Sequence, residues 1–372
     1  MMRLKAFLQV TAFWAVGALV VAALVVGLGL YNVSARKGHL PGVYWLLQTT
    51  YVNSVKLRAP SEEVVPDLSD PDLIALGARH YELACSRCHG KGGTQRDATA
   101  LSMVPEPPDM VEASERWAPR QLFWIIRNGV KMSGMPSWPS SQRDDDIWPV
   151  VAFVNSVESA NQADVPRATV PAGAAEDANE AAIYRQRCAI CHGTDGSGPV
   201  SDLIPRLDIL TPQYLAATLQ AYRAAERQSG IMQHVASTLS DSDIAGIATF
   251  LNSQDDQPVR AAKDGQTALA ETGRRLATGS PADRDVPACA ACHGPWQGPV
   301  SELYPAIAGQ SEAYLLQQLK LWKSETRGGL RRDPVMHYMV AELTEDQMRA
   351  LAAYYASLAP QRPAAFDQSV AE

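Results

Sequence analysis

The sequence predicts an all-α protein: one N-terminal transmembrane helix followed by three small helical domains in tandem. Three observations predict it. An uncharged run from Ala6 to Leu30 opens the chain; a Cys-x-x-Cys-His pattern recurs three times at nearly equal spacing; and no stretch sustains the apolar–polar alternation that marks a half-buried strand. At 372 residues the chain is also long enough for several compact units rather than one core.

The N-terminal run follows the short basic stub MMRLK. At about 1.5 Å of rise per residue it is long enough to cross a hydrocarbon layer about 30 Å thick. A cleaved signal peptide is the competing reading, since Val33, Ser34 and Ala35 resemble a small-residue cleavage site. Its apolar region would run to only about 7 to 15 residues, so the sequence favours an anchor over residues 1–35. Arg3 and Lys5 before the run are balanced by Arg36 and Lys37 after it, and charge alone does not orient it. Residues 36–66, including LPGVYWLLQTTYVNSVKLRAP, are apolar, aromatic and lightly basic. They read as a stalk or as a helix lying at the membrane surface.

The net charge of −7 and the pI of about 5.6 come from acidic and basic residues mixed along the chain. No basic stripe is present, which argues against nucleic acid as a partner.

The repeats set the domain boundaries. Cys188 follows Cys85 by 103 residues and Cys289 follows Cys188 by 101. Such a period demands a search for internal copies. CAICHGTDGSGPVSDLIPRL in the second copy matches CAACHGPWQGPVSELYPAI in the third, and QYLAATLQAYR matches AYLLQQLKLWK. Both copies close on a helix announced by an N-cap, Ser240 with Asp243 and Thr344 with Asp346 and Gln347. The first copy is more distant, but DDDIWPVVAFVNSV has the same acidic start and apolar face. Tyr81 and Tyr184 each stand four residues before the first motif cysteine, one helical turn away, to pack beside whatever the cysteines hold. The domains are expected at 67–160, 177–254 and 265–360, with linkers at 161–176 and 255–264 and a tail at 361–372.

All six cysteines lie in the three motifs: Cys85 and Cys88 before His89, Cys188 and Cys191 before His192, Cys289 and Cys292 before His293. A redox dithiol needs a thiolate of lowered pKa and a βαβ setting, which is missing. A zinc site needs four converging ligands, and no repeat offers a second clean pair. The remaining reading is covalent haem attachment, for which this pattern is the signature. Two cysteines one turn apart reach the two vinyl groups, and the adjoining imidazole reaches the iron.

These motifs resemble the attachment site of class I cytochrome c, over nearly all of residues 70–360, and the last two units resemble the tandem domains of bacterial dihaem cytochromes. The resemblance implies three class I cytochrome c domains with three covalently bound haem c groups. It makes His89, His192 and His293 the proximal iron ligands and calls for a methionine between the middle and closing helices of each unit. Met135, in a Met-Pro pair, is expected over Met132 in the first unit; Met232 is the candidate in the second. Met336 is expected over Met339 in the third, because it stands seven residues before Leu343 as Met232 does before Leu239. His234 and His337 lie nearby but match no family position. The family's prolyl carbonyl that orients the ligating histidine matches Pro205 and Pro305, and Pro105 less well. His/Met ligation leaves no open coordination position, so the implied chemistry is electron transfer without a catalytic activity of its own.

The expected function is therefore a membrane-anchored trihaem electron carrier of a respiratory chain. The family's attachment machinery puts its haem domains in the periplasm, with the anchor in the bacterial inner membrane. The expected partner is a terminal cytochrome oxidase, with no small-molecule substrate. A second reading is the haem subunit of a periplasmic alcohol, aldehyde or sugar-acid dehydrogenase. Such subunits typically place threonine after the motif histidine, where this chain has Gly90, Gly193 and Gly294. A third, a haem peroxidase, would need a labile iron site, against a methionine candidate in every repeat.

Overall fold

The computed structural model describes residues 2–34, 36–91, 96–131, 133–159, 180–254, 267–279, 287–295, 301–328 and 335–360. Among these the chain is helical with no strand. The linkers expected at 161–176 and 255–264, the tail at 361–372 and Met132 lie outside the described residues.

Two helices precede the repeats. The first, α1 (Met2–Gly27), is exposed from Leu4 onward except for the half-buried Val25, and its stretch Leu4–Gly27 is long and apolar enough to cross a membrane. Helix α2 (Pro41–Arg58) starts on a proline at its first position, where the missing N–H costs nothing. Its second half is seated on the first unit: Val55 is fully buried, and the Tyr51 and Trp117 rings meet edge to face at 5.4 Å.

Unit 1 comprises α3 (Pro71–Ala84), α4 (Ser86–His89), α5 (Ala98–Leu101), α6 (Met110–Arg116), α7 (Pro119–Asn128) and α8 (Trp148–Ser159). Asp70 caps α3 by accepting from Asp72 N at 2.9 Å. The core forms where α3 crosses α8 around Tyr81, Val150, Phe153 and Val154. Gly77 makes that crossing close, because a Cβ there would lie 1.8 Å from Pro149 O.

Unit 2 comprises α9 (Glu180–Arg187), α10 (Ala189–His192), α11 (Pro212–Arg223), α12 (Gly230–Ala236) and α13 (Asp241–Asn252). Unit 3 repeats the order as α14 (Thr267–Thr278), α15 (Cys289–His293), α16 (Glu312–Lys323), α17 (Val335–Val340) and α18 (Glu345–Ser357). Both closing helices begin with a reciprocal capping box, Ser240 with Asp243 and Thr344 with Gln347. Tyr184, Ile244, Ile247 and Leu251 fill the second core, and Trp322, Met348, Leu351 and Tyr355 the third.

The units are joined directly. Asp72 of unit 1 accepts from Ser201 Oγ at 3.0 Å and from Asp202 N at 3.1 Å. Gln310 of unit 3 exchanges two 3.0 Å hydrogen bonds with the backbone of Arg206, and Thr211 Oγ1 donates to Glu302 O. Gln317 of unit 3 reaches Asp145 of unit 1 at 2.8 Å. The sequence suggests small helical domains on a string; the polar residues that join them, Asp72 on α3, Gln317 on α16 and the others in loops, carry no periodic signal.

Candidate haem sites

Each motif is one helical turn. Cys85 O accepts from both Cys88 N and His89 N at 3.0 Å, and Cys188 O does the same for Cys191 N and His192 N. The turn brings the two thiols together and sets the imidazole on the next position. All six cysteines are free. The residue after each histidine is a glycine with φ of 83°, 79° and 78° at Gly90, Gly193 and Gly294, the left-handed region that glycine enters without strain. A tyrosine donates to the carbonyl of each: Tyr81 to Gly90 at 2.9 Å, Tyr184 to Gly193 at 2.8 Å and Tyr355 to Gly294 at 3.2 Å. The first two come from the helix before the motif. The third comes from the closing helix α18, since four residues before Cys289 the chain has Asp285 and no tyrosine.

Burial sets the protonation of these groups. Desolvation pushes the Cys85 and Cys188 thiols up to about 12 and Cys191 to about 11, with the neighbouring cysteine adding to the rise at Cys85 and Cys188; Cys289 is raised as well. That is opposite to the lowered pKa a redox dithiol requires. Desolvation also lowers the pKa of His89, His192 and His293, keeping the imidazoles neutral. Each donates its Nδ1–H to a prolyl carbonyl: His89 to Pro108 at 2.8 Å, His192 to Pro205 and His293 to Pro305 at 2.9 Å. The donation fixes the tautomer and leaves Nε2 with a free electron pair, the form a metal-binding imidazole takes.

In the first unit the acceptor is Pro108, and Pro105 is not. Asp109 caps α6 directly after Pro108, accepting from Glu112 N at 2.8 Å, and Arg96 donates to Pro107 O, so this loop is held from both ends. The Asp109 cap at the end of VPEPPDM was the available signal.

The methionines are spread over the same cores. Met135 packs against the core of unit 1; Ser133 Oγ accepts from its N–H at 3.2 Å, and its carbonyl accepts from Val130 N at 3.1 Å. Met232 packs against the core of unit 2 from α12, whose first turn Ser229 caps. Met336 and Met339 both pack against the core of unit 3. His234 is exposed, while His337 donates Nδ1–H to Trp322 O at 2.7 Å and lies edge-on to that indole at 5.0 Å. Two free thiols on one turn, a neutral imidazole with Nε2 free and a thioether in the same core form a donor set that fits covalently attached haem. Among the described residues no group of three or more His, Cys, Asp or Glu is arranged to hold a metal ion by itself.

Residues 72–154 and 175–251 match the family model for cytochrome c oxidase, cbb3-type, subunit III, and residues 270–359 match the model for cytochrome c. The thiosulfate dehydrogenase electron acceptor of Stutzerimonas stutzeri is 35% identical over 49% of this chain and 82% of its own length. The chain belongs to the cytochrome c family. A second thiosulfate dehydrogenase electron acceptor, from Thiomonas intermedia, is 36% identical to this cytochrome over 46% of the chain and 77% of its own length. Cytochrome c4 of Stutzerimonas stutzeri is 30% identical over 46% of the chain and 84% of its own length. The crystal structure of reduced recombinant cytochrome c4 from Pseudomonas stutzeri superposes with a TM-score of 0.42 at 31% identity, covering 46% of the chain and 93% of that structure. Cytochrome c domains carry covalently bound haem c, so this chain is an electron-transfer cytochrome.

Proposed function

We propose that the chain carries three haem c groups and relays electrons outside the cytoplasm, held at the inner membrane by α1 and delivering to a terminal oxidase. The observation that carries the count is the threefold recurrence of one constellation: free paired thiols, an imidazole donating Nδ1–H to a prolyl carbonyl, and a methionine in the same core. When bound, haem c supplies a one-electron couple whose potential its axial ligands tune. The protein residues attach and orient it. Cys85 and Cys88, Cys188 and Cys191, and Cys289 and Cys292 form the thioethers. His89 with Met135, His192 with Met232, and His293 with Met336 would hold the iron. Pro108, Pro205 and Pro305 hold the imidazoles, and the packed cores keep water from the iron. A pyridine haemochrome assay of the purified chain should give three haems per polypeptide; two or fewer would overturn the count.

The oxidase reading is supported by the match of units 1 and 2 to the oxidase-subunit model. A second reading, acceptor for a periplasmic dehydrogenase, is favoured by two relatives described as thiosulfate dehydrogenase electron acceptors. Purification in mild detergent separates the two: recovery with an oxidase supports the first, and recovery with a dehydrogenase reverses the order.

A further inference from the structure

Helix α12 belongs to two cores at once. Ile231 and Val235, one turn apart, are buried in the core of unit 1, whereas Met232 between them lies against the core of unit 2. In the corresponding α17, the buried Val340 and both methionines pack in their own unit. A seven-residue helix makes too few internal hydrogen bonds to hold itself, so its position is set by what packs on it.

Unit 1 grips the start of this helix with a polar set. Asp146 Oδ2 accepts from Gly230 N at 2.9 Å, and Asp146 Oδ1 accepts from Arg143 Nη2 at 2.7 Å. Arg143 Nη1 donates to Gln228 O at 2.7 Å, and Ser140 Oγ donates to Gln228 Oε1 at 2.9 Å. Arg143 and Asp146 are each 8% exposed, so these bonds are made away from bulk water, where breaking one costs most. The Trp138 indole covers Gly230 so closely that a Cβ there would lie 2.1 Å from Nε1. That Nε1–H is buried with no acceptor among the described residues.

We propose that Asp146 and Arg143 of unit 1 are positioning residues for Met232, so that the methionine ligation of the second haem is set by the unit before it. The proposal rests on Met232 being that ligand, and the controls separate the two claims. Full-length holoprotein in detergent is compared by the weak red-edge absorption of iron–sulfur ligation and by titration of the three haem midpoints. M232A is the reference and should remove about one third of the band, one haem in three. G230A forces a methyl into the indole and should lose a similar share and move one midpoint. The double variant W138A/G230A, which makes room for the methyl, should restore both.

D146A removes the acceptor of Gly230 N while leaving Arg143 its two 2.8 Å bonds to Asp145. It should weaken the band in the wild-type background and add nothing to M232A. Band and midpoints unchanged in both G230A and D146A would overturn the proposal, as would a D146A loss that adds to that of M232A, since the affected methionine would then be another. An intact band in M232A itself would overturn the ligand assignment beneath it.

Discussion

Gly77→Ala tests the packing on which the first haem site is built. The methyl would enter the crossing of α3 and α8 at 1.8 Å from Pro149 O, 2.4 Å from Pro149 C and 2.9 Å from Phe153 Cβ. The nearest obstacle is backbone, which has no rotamer to change. The helices must part by more than about 1 Å before the contact becomes ordinary. Overpacking of this kind costs about 1–3 kcal/mol, and the upper end applies because the obstacle is backbone. Alanine's better helix propensity returns about 1 kcal/mol, leaving a net loss of about 2 kcal/mol. With a urea dependence of about 1–3 kcal/mol per molar, the midpoint should fall by about 1 M. Tryptophan fluorescence reports the transition, since four of the eight tryptophans (Trp117, Trp124, Trp138 and Trp148) lie in unit 1. Gly42→Ala in α2, where a methyl would meet nothing within 4 Å, isolates the propensity term and should be neutral or stabilising. A midpoint for Gly77→Ala at or above wild type would refute the close crossing.

Two further outcomes follow from the site and its surroundings. His80 is buried and held neutral, its pKa lowered from 6.5 to about 4 chiefly by desolvation, with Nδ1–H donated to Asp146 O at 3.3 Å. The unfolded chain takes up a proton from about pH 6.5 downward while the folded chain resists it until about pH 4. Stability is therefore lost as pH falls through that window, by up to about 3 kcal/mol, and His80→Gln should flatten this limb in urea titrations across pH 4–7. At the second motif, Tyr184→Phe deletes the donor to Gly193 O and should cost about 1 kcal/mol, whereas Gly193→Ala combines a φ of +79° with a Cβ 2.6 Å from Gly198 O and should cost more. Thermal melts of the two variants that came out in the reverse order would deny the glycine its role.

What the sequence made legible is what repeats and what is local. The three Cys-x-x-Cys-His turns stand in the chain as written, and the closing helices carry their caps at Ser240 and Thr344 where a reader finds them. Pro205 and Pro305 fall at one position of a shared pattern, while the first unit's Pro108 sits in a loop of different length, so the pattern had nothing to align. The tyrosine rule is legible only in part. Units 1 and 2 deliver the hydroxyl from the preceding helix and unit 3 from Tyr355, because the fold constrains the glycine carbonyl and leaves the donor's origin open. Side chains that pack across units, such as Ile231 in the core of unit 1, look in the sequence like ordinary members of their own helix.

The two joints between units are built on different principles, and the difference follows from the repeats. Between units 2 and 3 the same register meets itself. Arg227 donates to Tyr214 and Tyr314, Arg327 donates back to Tyr214, and the guanidiniums lie 4.7 and 4.5 Å from the rings of Tyr222 and Trp322, residues that the two copies hold in matching places. Each copy supplies one half of the contact, as at an isologous interface. Between units 1 and 2 the contact is unlike on its two sides: the Arg143–Asp146 loop of one meets α12 of the other. A substitution at the first joint therefore acts differently on its two sides, on the core of unit 1 through Ile231 and Val235 and on the core of unit 2 through Met232. One in the matched positions of the second joint acts on both partners, because both guanidiniums donate to the Tyr214 hydroxyl.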